Sequence, residues 1–157
     1  MSAIVWLKRD LRSRDHAPLA AAVAHRGALA VYVIEPEWLA SPEFDPQHLA
    51  FTLACLAERR TALAARGLPL RVEVGEAGAV LERLRVAHAA EVLYSHEETG
   101  PGWTYARDLR VADWCRAKGV VWTEWPQTGV VRRLRDRRGW AGRWAGRLDA
   151  PEVAMPA

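Results

Sequence analysis

A chain of 157 residues is long enough for one domain with a sizeable hydrophobic core and short for two. Hydrophobic residues make up 50% of it and charged residues 26%, a composition that excludes a wholly disordered or fibrous protein. The formal net charge of +3 is too small to indicate a nucleic-acid-binding protein by itself.

The charge is unevenly distributed along the chain. Residues 1–128 carry 15 basic and 16 acidic side chains, so this part has a net charge of −1. Residues 129–149 carry seven arginines against Asp136 and Asp149, a net charge of +5. The sequence therefore predicts a nearly neutral body followed by a cationic segment.

Cysteine and hydropathy patterns exclude several classes of protein. Cys55 and Cys115 lie in helix-like runs without C-x-x-C spacing, so we expect small buried residues rather than metal ligands or a disulfide. The first residues lack the basic and long apolar regions of a signal peptide. No apolar run approaches the roughly 20 residues that cross a membrane. We therefore expect a soluble cytoplasmic protein with no metal site and no membrane partner; the oligomeric state is left open.

Short apolar runs alternate with segments of helical spacing up to residue 124. The strand-like runs are mostly β-branched or apolar, whereas the helix-like segments place leucines three or four residues apart. Pro18 suits a first helical turn, and Gly67 and Gly119 suit the position after a last one. In chain order the pattern predicts strand 3–7, helix 17–25, strand 28–34, helix 48–66, strand 69–74, helix 79–88, strand 91–94, helix 104–118 and strand 120–124.

Five apolar strands separated by helices predict parallel pairing with right-handed crossovers. The predicted fold class is therefore α/β: a Rossmann-like three-layer sandwich with a five-stranded parallel sheet in the order 3-2-1-4-5. We expect residues 1–125 to form this domain, because the alternation stops in residues 126–157. No G-x-G-x-x-G or G-x-x-x-x-G-K-[ST] motif occurs, so neither a dinucleotide fingerprint nor a P-loop is indicated.

The topology predicts where a ligand binds. In open parallel sheets, ligands bind beyond the carboxyl ends of the strands, where the strand order reverses, here between strands one and four. The loop after strand one, residues 8–15, is rich in cations, and the loop after strand four, residues 95–103, offers carboxylates and a histidine. We expect the two loops to face each other. Two interpretations stay open: a ligand site, or solvated ion pairs that contribute little.

These loops do not contain a complete catalytic constellation. His96 and Glu97 suit an acid and a base, but the sequence indicates no nucleophile or metal partner for them.

The chain resembles the DNA photolyase/cryptochrome family in a series of motifs that occur in the family's order. Residues 6–12 have the sequence WLKRDLR, which is similar to the family's opening W-F-R-R-D-L-R, and Pro18 leads the next helix. Further similar segments are YVIEP at 32–36, the helix at 48–63, LRVEVG at 70–75, SHEETG at 95–100, WTYARD at 103–108 and QTGVVRRL at 127–134. The ordered set covers nearly the whole chain.

The resemblance implies part of a light-driven flavoprotein. In that family the α/β part holds an antenna chromophore, and a larger helical part that follows it binds FAD and DNA. Photolyases repair pyrimidine dimers, and cryptochromes sense blue light. The resemblance therefore implies that residues 126–157 lead to a C-terminal helical FAD-binding domain, that damaged DNA is a partner of the full-length protein, and that this chain carries no catalytic residue.

Two departures from the family pattern bear on the antenna. Folate-type members carry an Asn-Glu pair where this chain has Trp103 and Thr104, and a basic residue often opens the long helix where this chain has Gln47 and His48. The resemblance therefore implies a deazaflavin or flavin type rather than a folate, with an empty cleft as the alternative. The candidate chromophore-binding residues are Lys8, Arg9, Asp10, Arg12, Glu35, Trp38, His48, His96, Glu97 and Glu98. Arg107 and Asp108 favour a structural ion pair.

The cationic segment has two open interpretations, a DNA-contact strip or a linker whose arginines brace the helical domain. Trp140 and Trp144, four residues apart, are expected on one helix face, which packs on that domain or forms an exposed apolar patch. For the chain as a whole, the alternative to an antenna domain is a stand-alone nucleotide- or flavin-binding α/β module without photochemistry.

Overall fold

The computed structural model of the chain describes residues 2–154. Strands and helices alternate as predicted. The elements in chain order are β1 Ser2–Leu7, α1 Ala17–Ala22, β2 Leu29–Ile34, α2 Pro36–Leu39, α3 Pro46–Ala64, β3 Leu70–Val74, α4 Ala77–His88, β4 Ala90–His96, α5 Gly102–Lys118, β5 Val121–Trp125 and α6 Trp140–Leu148.

The five strands form one parallel sheet in the order β3-β2-β1-β4-β5, which confirms the predicted topology. β1 lies at the centre, where Trp6 is in register with Val31 of β2 and Ser95 of β4. The strand order reverses between β1 and β4, so the loops after these two strands lie side by side.

The sheet is covered by helices on both faces. Alternate residues of β1 point to opposite faces: Ala3, Val5 and Leu7 pack with side chains of α1 and α3, while Ile4 and Trp6 pack with α4 and α5. Both sets are almost fully buried, which confirms the three-layer sandwich. The prediction of a buried cysteine is confirmed for Cys115, whereas Cys55 is half-buried.

Some helix boundaries differ from the predicted ones for local reasons. α3 begins at Pro46, two residues early, because the Asp45 carboxylate accepts a hydrogen bond from the Gln47 amide at 2.7 Å and caps the helix. α1 ends at Ala22, three residues early. The one-turn helix α2 was not predicted; its four residues are too few for a helical period.

The segment after β5 contains no strand within the described residues, in agreement with the end of the alternation. It contains α6, in which Trp140 and Trp144 share one face as predicted. α6 buries none of its side chains. The predicted division at residue 125 stays a prediction, and its last residues, 155–157, lie outside the described part of the chain.

Candidate functional site

A cleft of about 480 Å³ opens at the carboxyl edge of the sheet, around the ends of β1 and β2 and the start of α5. We call it the switch-point cleft. The carboxyl ends of β1 and β2 and part of the loop after β4 border it, and one face of α3 completes it. It is lined by Trp6, Leu7, Lys8, Arg9, Tyr32, Val33, Glu35, Trp38, Glu43, His48, Phe51, Thr52, Glu98, Pro101, Trp103, Thr104 and Arg107.

Six of the ten candidate residues line this cleft, and four lie elsewhere. The six are Lys8, Arg9, Glu35, Trp38, His48 and Glu98. Of the others, Arg12 is exposed and donates a hydrogen bond from Nε to the Asp15 carbonyl. Asp10 and His96 are buried together beside the cleft, and Glu97 faces the segment after β5.

A buried network of charges forms the floor of the cleft. The Arg107 guanidinium donates to Glu35 at 2.6 Å and to Asp108 at 2.8 Å, and lies 3.4 Å from Glu98. Lys8 Nζ lies 2.8 Å from the second carboxylate oxygen of Asp108. Each buried carboxylate therefore has a cationic partner, as buried charges require. The predicted Arg107–Asp108 ion pair is confirmed and belongs to this network.

The network alters the acidity of its members. Burial raises the pKa of Glu35, although the Arg107 charge opposes the rise. For Arg107 itself, burial lowers the pKa, but the ion pairs with Glu35 and Asp108 outweigh it and hold the pKa above its usual value. Burial and the Glu35 charge raise the pKa of Tyr32 to about 12, so this phenol stays protonated at neutral pH.

Aromatic side chains line the cleft above this floor. Trp38 and Trp103 are partly buried, and the Phe51 ring on α3 is 72% exposed. Beneath them the Trp6 ring contacts two cations, with Lys8 Nζ 4.5 Å and Arg107 Cζ 4.8 Å from its centroid. Aromatic walls with a few placed polar groups are typical of sites for flat heteroaromatic ligands.

One donor in the cleft lacks an acceptor. The indole Nε1 of Trp103 is buried and has no hydrogen-bond partner among residues 2–154. A buried polar group without a partner costs free energy, about 1–3 kcal/mol. The neighbouring Thr104 donates its hydroxyl to the Pro101 carbonyl at 2.7 Å, so this hydroxyl already has a partner. Trp103 therefore offers a free donor to a ligand.

The loops after β1 and β4 are joined by three buried side chains, Asp10, His16 and His96, which we call the β1–β4 clamp. Both histidines contact the same Asp10 oxygen, His16 through Nε2 at 2.8 Å and His96 through Nδ1. Burial raises the pKa of Asp10, but its contacts with His16 and His96 outweigh the effect of burial and hold the pKa far below its usual range. The prediction that the two loops face each other is confirmed, and here the contact is a buried one rather than a solvated ion pair.

The clamp has the residue types of a metal site but the hydrogen bonds of a structural one. His16 Nδ1 accepts a hydrogen bond from the Leu19 amide at 3.2 Å, which caps α1 and leaves the ring proton on Nε2. A metal ion bound at Nε2 would need that nitrogen free of its proton. The donor set therefore fits a structural clamp, in which His96 hydrogen-bonds Asp10 and His16 adds a close polar contact whose geometry falls short of a hydrogen bond.

Several residues of the site were not among the candidates that the sequence indicated. Tyr32, Phe51 and Thr52 lie within apolar or helical runs and cannot be distinguished there from core residues. His16 stands directly before the proline-led helix, a capping position from which its role could have been found.

Fold and site together define an α/β domain with a ligand cleft at the switch point of its sheet. A family model described as DNA photolyase matches residues 3–134, so the chain belongs to the DNA photolyase family. Within the described residues, no helix is long and apolar enough to cross a membrane.

Curated relatives include photolyases and cryptochromes. A "Cryptochrome DASH, chloroplastic/mitochondrial" of Solanum lycopersicum is 32% identical over 104 residues, 62% of this chain and 18% of its own length. A "Deoxyribodipyrimidine photo-lyase" of Salmonella typhimurium is 38% identical over 85 residues, 52% of this chain and 18% of its own length. The chain thus spans less than a fifth of these relatives and corresponds to an N-terminal photolyase/cryptochrome domain.

The fold is shared with a solved archaeal photolyase from Sulfolobus tokodaii. The TM-score is 0.78 at 20% identity, and the match covers 100% of this chain and 37% of the other. The crystal structure of that archaeal protein holds two FAD molecules, which imply a novel light-harvesting cofactor there.

Proposed function

We propose that this domain binds a flavin- or deazaflavin-type antenna chromophore in the switch-point cleft. The observation that carries the proposal is the buried Trp103 Nε1, a donor without an acceptor in an aromatic-walled cleft of about 480 Å³. The ring carbonyls and nitrogens of flavins and deazaflavins are acceptors that would satisfy it, and the cleft volume lies within the usual range of roughly 300–1,000 Å³ for such sites.

The residues that would hold the chromophore have distinct roles in binding it. Trp38, Phe51 and Trp103 supply apolar contact area, and Trp103 Nε1 orients the ring system. Arg9, 58% exposed at its side chain and 3.4 Å from Glu98, lies at the mouth, where it suits an anionic tail of the ligand. A bound antenna absorbs light; the protein excludes water from it and fixes its orientation.

The relatives of this chain support a proposal about the longer protein. We propose that this domain is followed by a helical FAD-binding domain and that the full-length protein performs light-driven repair of damaged DNA or blue-light sensing. The two relatives of which the chain covers 18% are named as a cryptochrome and as a deoxyribodipyrimidine photo-lyase, and the archaeal structural neighbour contains two FAD molecules.

The antenna proposal is tested by binding. The purified chain is titrated separately with FMN, FAD, a hydroxy-deazaflavin and methenyltetrahydrofolate, following absorbance and quenching of ligand fluorescence. We expect one flavin or deazaflavin per chain and at least tenfold weaker folate binding.

Two matched substitutions locate the site. Trp103→Phe keeps an aromatic ring and removes the donor, so we expect about three- to tenfold weaker binding, the worth of one hydrogen bond. Trp114→Phe is the control, since Trp114 Nε1 bonds Glu82 at 3.1 Å away from the cleft, and its binding should equal that of the unmodified chain. Tight folate binding, or adenine nucleotides preferred over flavins, would contradict the antenna type proposed and favour a nucleotide-binding module.

A further inference from the structure

The charged floor of the switch-point cleft belongs to a network that holds more carboxylates than cations. Among residues 2–154, nine charged side chains are joined to one another by contacts of 4.0 Å or less. The four cations are Lys8, Arg9, Arg107 and Arg132. The five carboxylates are Glu35, Glu97, Glu98, Asp108 and Glu124. The fully ionised network therefore has one negative charge in excess.

The excess lies in the most buried part of the network. The buried carboxylates are Glu35, Glu98 and Asp108, whose side chains are 8%, 5% and 6% exposed. Only two cations of the network are equally buried, Lys8 and Arg107. The remaining two cations and two carboxylates are half-buried or exposed, so water screens their charges. The floor of the cleft is therefore negative where a ligand displaces water from it.

The Glu35 carboxylate is the least compensated of the buried acids that line the cleft. Glu98 accepts hydrogen bonds from the amides of Thr99 and Gly100 at 3.0 and 2.8 Å, in addition to its contacts with two arginines. Within the described part of the chain, the Glu35 carboxylate is bonded by Arg107 alone. Burial raises the pKa of Glu35 in spite of this partner, as expected for a charge that is only partly compensated.

A ring system held by Trp103 lies close to this carboxylate. Arg107 joins the two, because its Cζ lies 5.6 Å from the Trp103 ring centroid while its Nη1 donates to Glu35 at 2.6 Å. A like unit charge about 8 Å away, at an effective dielectric constant of about 20, weakens the binding of an ionised ring roughly 30-fold. The screened cations offset part of this effect, so we expect a discrimination of at least tenfold.

We propose that the switch-point cleft selects its ligand by the charge of the ring system: it binds uncharged rings and rejects anionic ones, and Glu35 is the main determinant. This inference rests on the proposed function and narrows it. The ring of an oxidised flavin is uncharged at neutral pH, whereas the phenol of an 8-hydroxy-deazaflavin ionises and places a negative charge in the ring. An anionic tail is still accepted, because Arg9 lies at the mouth of the cleft.

The test compares two ligands without a charged tail, riboflavin and 8-hydroxy-5-deazariboflavin. Each is titrated with the full chain at a series of pH values and followed by fluorescence, and the phenol is titrated by absorbance in the free and the bound ligand. We expect the phenol pKa to be at least one unit higher in the complex, which corresponds to tenfold tighter binding of the neutral form. Riboflavin stays uncharged while the phenol ionises, so it corrects for titration of the chain's own groups at the cleft, which are Lys8, Arg9, Tyr32, Glu35, Glu43, His48, Glu98 and Arg107.

Two substitutions should change this preference in opposite directions. Glu35→Gln removes the excess charge and keeps the shape of the side chain, so the preference for the neutral form should fall at least threefold. Arg9→Gln removes a cation from the mouth and should raise the preference about twofold. Because the Arg9 side chain is 58% exposed, we expect this variant to fold even where loss of the Glu35 charge disturbs the floor.

The matched control is Glu91→Gln. Glu91 is exposed and lies near the start of β4, at the edge of the sheet opposite the cleft. This variant makes the same change in net charge as Glu35→Gln and should keep the preference of the unmodified chain.

Equal affinity for the neutral and the anionic deazaflavin, or tighter binding of the anion, would overturn the inference and leave the antenna proposal standing. An equal loss of preference in the Glu91 and Glu35 variants would overturn it as well. Binding of neither ligand would instead contradict the proposed function, and this inference with it.

Discussion

The Asp10 side chain holds two loops together at the centre of this fold. Its Oδ2 contacts both histidines of the β1–β4 clamp, and its Oδ1 accepts a hydrogen bond from the Lys8 amide at 3.1 Å. The carboxylate is fully buried, so its interactions are not shared with water. The loops after β1 and β4, which border the switch-point cleft, are held together through it.

We predict that Asp10→Asn lowers the free energy of unfolding at pH 7 by about 3 kcal/mol, since it removes one partner of a buried charged group. The measurement is urea unfolding followed by tryptophan fluorescence. Asp113→Asn is the matched control: Asp113 pairs with Arg116 on the exposed face of α5, where an ion pair contributes little, and we expect no measurable change. Equal midpoints for the Asp10 variant and the unmodified chain would show that the clamp is not a stabilising contact.

Asp10→Asn should also change how the free energy of unfolding depends on pH. Because the pKa of Asp10 is depressed in the folded state from 3.8, its stabilisation is fully present above about pH 4 and is lost as the pH falls toward the folded pKa. The unmodified chain should therefore lose stability below pH 4 more steeply than Asp10→Asn. Glu35 acts in the opposite direction, since its raised pKa removes stability as pH rises above 4.5, outside this window. Parallel curves below pH 4 would contradict the assignment.

At the scale of elements, two helices end in the same left-handed conformation with different residues. α5 is followed by Gly119 at φ 66°, whereas α4 is followed by Ala89 at φ 48°. Glycine adopts this region without strain, but a Cβ there costs about 1–2 kcal/mol. The end of α5 was visible in the sequence as a glycine, and the end of α4 carried no such signal.

We predict opposite effects of exchanging the two residues. Gly119→Ala should destabilise the chain by about 1 kcal/mol, since a methyl group finds open space there but an unfavourable φ. Ala89→Gly should stabilise it by up to about 0.5 kcal/mol, because relief of strain exceeds the entropy that glycine adds to the unfolded chain. Thermal unfolding followed by circular dichroism gives both values. Shifts of the same sign would show that the local conformation does not control these ends.

For the whole molecule, we expect the sheet and its four covering helices to form the cooperative unit, because they hold the buried core and the segment after residue 134 is attached to its surface. α6 buries no side chain. The end of the described chain pairs only with an exposed loop, where Val153 and Asp15 exchange two hydrogen bonds of 3.2 and 3.0 Å. Arg132, which does tie Glu124 and Glu97, precedes this boundary.

We therefore predict that a chain of residues 1–134 unfolds cooperatively with a Tm within about 5 °C of the full chain, which corresponds to roughly 1.5 kcal/mol. A chain ending at residue 119 is the contrasting case. It lacks β5, leaves β4 as an exposed edge and uncovers the Trp6 ring, which lies 6.1 Å from that of Trp122, so it should not fold. Loss of a cooperative transition in the chain of 134 residues would show that α6 belongs to the folding core.

The sequence by itself determined the fold class, the strand order and the edge of the sheet at which the cleft opens. The reason is that buried parallel strands and amphipathic helices leave periodic apolar patterns, and the rules of crossover and switch point restrict what those patterns can form. It also indicated Lys8 and Glu98, because the loops after strands one and four must converge, whereas Glu35 was indicated by the family resemblance. Only the tertiary structure decided that Asp10 and His96 bind each other and His16, that Arg107 lies on the cleft floor, and that Trp103 keeps a free donor. Those outcomes depend on distances between side chains far apart in the chain, down to a few tenths of an ångström, and no periodicity along a sequence encodes them.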